Sequence, residues 1–464
     1  MKKIIAMMIT GILCCSLCAC SGSTQNDKEG HVNEVLQKEH QENENQLIDG
    51  LELLCDSESL ANCYTKDGYY YLSDDTVELK NGTYGMHLMY MDFATQQEIF
   101  LCSNTGCKHD TEDCSAVFLM DEFPYLSCGI FVYRDKLYIL SKEMDNEGVV
   151  SQNLSVDIGN EMIEAEASPA VLYEMNLDGT NRHKVYTFDA GLTIEDVVLG
   201  NRDGLYFITK KLSVSLEKGN SNVTTSSDKR LIFLDVNKQK AKDVCSFDFN
   251  DTINWKIIGC FQDALVLRGD DYGKAMTAED YIMNDEDWKA LYENSSDVIA
   301  VLDLTTKTLS ERYRIDNAKI HSIVVRENML YVSYSDTGEI KAIDLENKEE
   351  NVLCSLEQNL IMHTFDDVLC CRSWEMADDF TYYFVNVETG EIYNPSLVNQ
   401  TLGWSLEFQA EIGSKVLLIY DYEATDYGDG SYEITQYKYA LIEKEDLYAG
   451  NANYMPIKMI GKGN

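Results

Sequence analysis

Leu172-Tyr173-Glu174-Met175-Asn176-Leu177-Asp178-Gly179-Thr180-Asn181 reads as a strand that runs into a tight turn, because alternating apolar positions give way to Asn, Asp, Gly and Thr. Just upstream stands an aromatic-aliphatic strand, Lys136-Leu137-Tyr138-Ile139-Leu140. The same strand phrase recurs at Gly68–Leu72, Gly204–Ile208, Ala264–Leu267, Met329–Val332, Val368–Cys371 and Lys415–Ile419, which makes seven occurrences. After each comes a second strand ending in an acid or amide plus a hydrophobe, as in Met91-Asp92-Phe93, Leu234-Asp235-Val236, Leu302-Asp303-Leu304, Ile343-Asp344-Leu345 and Val385-Asn386-Val387, with Ala440-Leu441-Ile442-Glu443 the weakest. Asp and Asn suit that place because their side chains accept hydrogen bonds from the backbone of a tight turn. A further strand closes each unit (Lys184–Phe188, Asp243–Phe247, Asn351–Leu356), and another apolar strand precedes each anchor (Ile194–Leu199, Ile320–Val325).

Four strands per unit, repeated every roughly 40 to 70 residues, is the pattern of propeller blades. A lone four-stranded sheet has two faces to cover, so blades stack around an axis and close a ring. The expected fold is all-β: a seven-bladed β-propeller of four-stranded antiparallel blades over residues 51–464, with a six- or eight-bladed ring as the neighbouring count. A short helical insertion is expected near Thr277-Ala278-Glu279-Asp280 and Trp288–Tyr292, where a capping signal precedes an apolar face.

The N-terminus carries an address. Lys2 and Lys3 precede an apolar run from Ile4 to Leu17, too short for a comfortable membrane span, which ends in Leu17-Cys18-Ala19-Cys20-Ser21-Gly22. This resembles a bacterial lipobox, with Cys18 departing from the usual small residue, and implies a signal peptide over 1–19, acylation of Cys20 (palmitate among its acyl chains) and a lipid anchor. Residues 20–50 are polar and read as a flexible tether. The Leu172–Asn181 phrase resembles the repeats of TolB-like and YWTD-type β-propellers. Together with the signal, the Cys-rich stretch after the first blade and Glu443-Lys444-Glu445-Asp446-Leu447-Tyr448, the chain resembles surface lipoproteins of Gram-positive anaerobes, a family with no established activity to transfer.

The 464 residues hold 38 Lys plus Arg against 79 Asp plus Glu, a net charge of −41 that argues against nucleic acid, whose recognition needs a basic stripe. Long second-to-third connections at Glu143–Ala170, Leu212–Lys229 and Asp270–Asp297 are expected to decorate one face. Among eleven cysteines after Cys20, the cluster Cys102-(x4)-Cys107-Lys108-His109-(x4)-Cys114 offers three thiolates and an imidazole for a closed, structural zinc site. A disulfide within the cluster or to Cys128 is the rival reading. Cys370-Cys371 reads as two buried small hydrophobes on opposite faces of a strand.

Other chemistry is sparse. His87, His109, His183, His321 and His363 lie far apart in sequence, with His321 and His363 nearest the inner strands. Asp421, Asp426, Asp429 and Gly430 sit in an acid-rich loop that lacks the ligand order of a calcium site. Arg268-Gly269-Asp270 falls at a strand end, and Trp255, Trp288, Trp374 and Trp404 offer either stacking surfaces or core filling. No nucleophile-elbow, Walker or zincin motif occurs, so no catalytic residue is assigned. The sequence points to a membrane-anchored extracytoplasmic lipoprotein whose propeller binds a protein, peptide or glycan, with a propeller-borne polysaccharide lyase or glycoside hydrolase as the alternative.

Overall fold

The seven anchor phrases form the second strands of seven sheets: Gly68–Leu72, Lys136–Ser141, Leu205–Leu216, Ala264–Asp271, Met329–Tyr334, Val368–Ser373 and Lys415–Asp426. Each lies inside an antiparallel sheet whose strands, apart from the short Val77–Glu78 of blade 1, are ordered as in the chain, so the protein is a seven-bladed β-propeller of four-stranded blades. Blade 2 shows the plan, with Cys128–Tyr133 innermost, then Lys136–Ser141, Val171–Asn176 and His183–Thr187 at the rim. This computed structural model describes residues 50–460 apart from 57–60, 74–75, 121–122, 124–127, 142–168, 217–222, 248, 250–251, 277–283, 357–358, 366, 374–380 and 429–431. The predicted signal peptide, Cys20, nearly all of the 143–170 insertion and Trp374 lie outside the described residues.

The repeated acid works as expected. Asp92 Oδ1 accepts from the N–H groups of Ala94 and Thr95, Asp303 from Thr305 and Thr306, Asp344 from Glu346 and Asn347, and Asn386 from Glu388 and Thr389. The residue four places after the acid or amide then takes a left-handed conformation: Gln96, Gln239, Lys307, Lys348 and Gly390 have φ of 53°, 53°, 57°, 64° and 71°. Only one of these five is glycine, so the Asx turn holds ordinary side chains in a region they otherwise avoid.

The core is distributed between blades. Leu72, Met86 and Leu88 of blade 1 pack on Ile130, Leu137 and Ile139 of blade 2. Corresponding clusters join blades 2 and 3, 3 and 4, 4 and 5, 5 and 6, and 6 and 7. A seventh closes the ring, where Tyr69 and Met91 of blade 1 meet Leu417 and Leu441 of blade 7. Cys370 and Cys371 are both fully buried and point to opposite faces, one in the 6–7 cluster and the other in the 5–6 cluster.

Both chain ends of the ring are pinned. Met455–Pro456 pairs with the third strand of blade 7, and Lys458 then bonds to the outer strand of blade 1, with Glu98 N–H donating to Lys458 O (3.0 Å) and Lys458 N–H to Gln96 O (2.8 Å). The buried Glu98 carboxylate completes this seam by accepting from Tyr71 Oη and from the Ile460 N–H. At the other end, Glu52–Cys55 adds to the innermost strand of blade 3 and also packs on the innermost strands of blades 2 and 4. A Cβ on Gly200 would lie 2.7 Å from Leu54 Cδ1 and 3.1 Å from the Tyr133 ring, so a larger residue here would push Leu54 aside. The inner edges of three blades are therefore covered by the chain's own N-terminal segment. Its first link, Leu51 N–H to Gln262 O (2.6 Å), places the chain's entry at the first-to-second turns.

Two of the expected insertions take regular form. Leu212–Lys229 is a ribbon, because the second and third strands of blade 3 continue in register as far as Leu216↔Val223. The helix α1 spans Asp285–Glu293 and is capped by Asn284, whose side chain accepts from Asp287 N–H, so its start is eight residues beyond the predicted Thr277 signal, itself outside the described residues. A second helix, α2 (Lys444–Ala449), follows the third strand of blade 7 and buries Leu447 against the 6–7 cluster.

Replacing Glu98 by Ala strands the Tyr71 hydroxyl and the Ile460 N–H at the ring seam. The expected loss of stability is about 2 kcal/mol in denaturant unfolding, against less than about 0.5 kcal/mol for the exposed Glu346→Ala.

Candidate metal centre

The third strand of blade 1, Tyr84–Asp92, is long enough to pair along its outer side with two separate strands, Gln97–Phe100 and Val117–Leu119. These two run in one direction and occupy one edge, so they are a single outer strand interrupted by an excursion. Leu88 pins both ends of the excursion: its C=O accepts from Leu101 N–H (2.9 Å) and its N–H donates to Ala116 O (2.8 Å). The loop pinched out between them contains Cys102, Cys107, His109 and Cys114.

The loop folds those four side chains together. Their Sγ and imidazole nitrogen atoms all lie within 4.8 Å of one another. A tetrahedral site with Zn–S bonds of about 2.3 Å has edges of about 3.8 Å, so the donors sit within about 1 Å of closing around an ion. His109 Nδ1 faces Cys114 Sγ at 3.3 Å, and the His109 N–H donates to Cys107 Sγ at 3.4 Å. His109 takes φ of 58°, which turns its ring back into the loop. Among the described residues this is the one group of His, Cys, Asp and Glu gathered tightly enough for a metal, and Cys102, Cys107 and Cys114 are free thiols.

Surroundings prepare the donors. Burial opposes ionisation of Cys102, yet hydrogen bonds from the Asn104 N–H, Ser115 and the neighbouring thiols outweigh it and hold that thiol below its ordinary range. Burial and its donated hydrogen bonds to the other two thiols push Cys114 up to about 12, so an incoming cation has to displace its proton. Burial, with His87 beside it, lowers the His109 pKa and keeps the imidazole neutral, the form that ligates.

A second histidine supports the first. His87, on the Tyr84–Asp92 strand, is buried, and its Nε2 lies 2.7 Å from the His109 carbonyl oxygen. Phe100 stacks on His109 (4.3 Å between centroids) and meets His87 edge-on (4.7 Å). From the neighbouring hairpin, Lys80 pairs with Asp110 (3.0 Å) and Asn81 bonds Glu112. The sequence separation of these two histidines hid their contact, and the signal available was the register that puts His87 opposite Val117.

The remaining candidates do not converge. His183 and His321 are exposed on separate blades, and His363 lies in the first strand of blade 6. Asp421 accepts from Thr401 N–H and pairs with Lys438 (3.2 Å), while Asp426 caps its own turn at Gly428; Asp429 and Gly430 lie outside the described residues. Arg268 and Asp270 are paired strand residues, Arg268 gripping the buried Asp297 in two hydrogen bonds of 2.8 and 2.7 Å. Trp255 is core, whereas Trp288 is exposed on α1.

No family model matches the sequence, and no curated protein matches it. Among solved structures the chain is similar to TolB from Acinetobacter baumannii, with 12% identity, a TM-score of 0.30 and coverage of 83% of this chain and 78% of that one. It is also similar to oligogalacturonate lyase from Vibrio parahaemolyticus, with 11% identity, a TM-score of 0.40 and coverage of 83% and 85%. At these scores neither bears on the chemistry of this chain, whose fold rests on its own seven sheets.

Metal analysis of chain purified without chelator is expected to return about one zinc per molecule, falling to background in Cys107→Ser. His87→Ala, which touches no donor atom, is expected to weaken zinc affinity about tenfold in a competition titration with a chromogenic chelator.

Proposed function

We propose that this protein is a lipid-anchored extracytoplasmic lipoprotein whose propeller binds a protein, peptide or glycan partner, with zinc on Cys102, Cys107, His109 and Cys114 stapling the rim of blade 1. The observation that carries this reading is where the exposed rings lie. Seven aromatic side chains are exposed among the described residues, and six belong to second-to-third connections or the strand that follows: Tyr84 in blade 1, Trp288 and Tyr292 in blade 4, and Tyr427, Tyr432 and Tyr437 in blade 7. Exposed rings gathered on one side of a fold are the composition of a recognition surface.

That side is opposite the chain's entry. Residue 51 joins the ring beside Gln262, in a first-to-second turn, whereas the aromatic connections leave from the other ends of the same strands. The net charge of −41 keeps the ring off an anionic membrane surface. The four-donor cluster leaves a bound ion no open position, so the metal's role is structural.

Cys20→Ser is expected to move the protein from the membrane to the soluble fraction and to remove the acyl mass from its N-terminus. On arrays of envelope peptides and glycans, the full chain carrying Trp288→Ala and Tyr432→Ala is expected to lose at least tenfold in binding with its melting midpoint within about 2 °C of wild type. Binding that survives both changes would remove the aromatic face from the account.

A further inference from the structure

Between blades 6 and 7 lies a cavity of about 330 Å³, at the lower end of the range of about 300–1,000 Å³ usual for small-molecule sites. Its wall is the link that leaves the outer edge of blade 6 at Asn394 and reaches the innermost strand of blade 7 at Leu406. The rings of Tyr382 and Phe408 meet there edge to face, 4.9 Å apart. Around them Asn394, Ser396 and Ser405 bring an amide and hydroxyls. None of the twelve lining residues is charged, in a chain where 79 of 464 residues are acids. A carboxylate, phosphate or ammonium group entering this site would lose its hydration without a counter-charge, whereas a neutral polyol finds both partners it needs. Its C–H faces lie on aromatic and leucine carbons, and its hydroxyls meet the amide and hydroxyl rim.

Ring contacts lead from the edge of the cavity, through the buried Tyr422, to the exposed aromatic face. Trp404, flanked by the lining residues Gly403 and Ser405, packs 6.1 Å from Tyr422, and Tyr422 packs 5.8 Å from Tyr437. Tyr437 starts the exposed series Tyr437, Tyr432 and Tyr427 along the blade 7 hairpin. Thr401 ties the link to that hairpin, donating its N–H to Asp421 and its hydroxyl to the Tyr422 carbonyl, both at 3.0 Å. From this continuity we propose that the ligand is a neutral oligosaccharide, one sugar ring seated in the cavity between blades 6 and 7 and the following rings stacked along the tyrosines of the blade 7 hairpin. This inference rests on the binding reading above and narrows it to one chemical class and one place on the ring.

The test is calorimetry on the full chain in a sugar-free detergent. The probes are chitotetraose, cellotetraose and maltotetraose, with trigalacturonate as the acidic comparison and a neutral tetrapeptide as the non-sugar comparison. At least one neutral tetrasaccharide is expected to bind, with affinity reduced at least tenfold by Ser396→Trp, which fills the mouth from an exposed position, and at least fivefold by the exposed Tyr432→Ala. Both variants should melt with wild type. Binding of trigalacturonate or the tetrapeptide alone overturns the neutral-sugar assignment while leaving the aromatic face as a binding surface. Tetrasaccharide binding indifferent to Ser396→Trp overturns the cavity as its seat. Silence of every probe, together with silence on the peptide and glycan arrays, overturns both readings.

Discussion

A four-stranded sheet with apolar side chains on both faces has no way to hide them alone, and every blade of this protein is such a sheet. The seven inter-blade clusters are the consequence: each blade supplies half of two cores, and no blade owns one. Vicinal Cys370 and Cys371 show the arrangement at its smallest scale, since neighbouring residues in one strand are buried in different cores. Because the stabilising contacts run around the ring, its closure matters as much as any blade. The C-terminal segment carries that closure, finishing blade 7 and then bonding to the rim of blade 1.

Rim strands carry the least packing, and this is where the chain departs from regularity. In blade 1 the outer strand opens at Leu88 to release a loop, then resumes on the same edge. A sheet edge tolerates such an interruption because the backbone there is paired on one side only. Within the loop three thiols and an imidazole converge, with Phe100 and His87 packed behind His109.

Much of this was legible in the sequence. The seven anchor phrases are the seven second strands, and in blades 1, 3, 4, 5 and 6 the acid or amide ending the third strand caps its turn in the register that alternation predicts. Cys102, Cys107, His109 and Cys114 were legible as a donor set because local spacing limits how far a loop of this length can separate them. His87 was not, since its approach to His109 depends on which strands pair. The helical insertion was legible as well, with Trp288–Tyr292 inside α1, while its cap at Asn284 stands out only in the structure and the Thr277–Asp280 signal lies outside the described residues.

The sequence by itself determined the all-β repeat of about seven blades, the succession of strands and the donor set of the rim cluster, because these follow from periodic side-chain alternation and short-range spacing. The tertiary structure alone decided that the N-terminal strand lies against the inner edges of blades 2, 3 and 4, that the exposed rings gather opposite that entry, and that an uncharged cavity opens between blades 6 and 7. Those features join residues from tens to hundreds of positions apart. Ring closure sets their distances, and nothing in local periodicity records them.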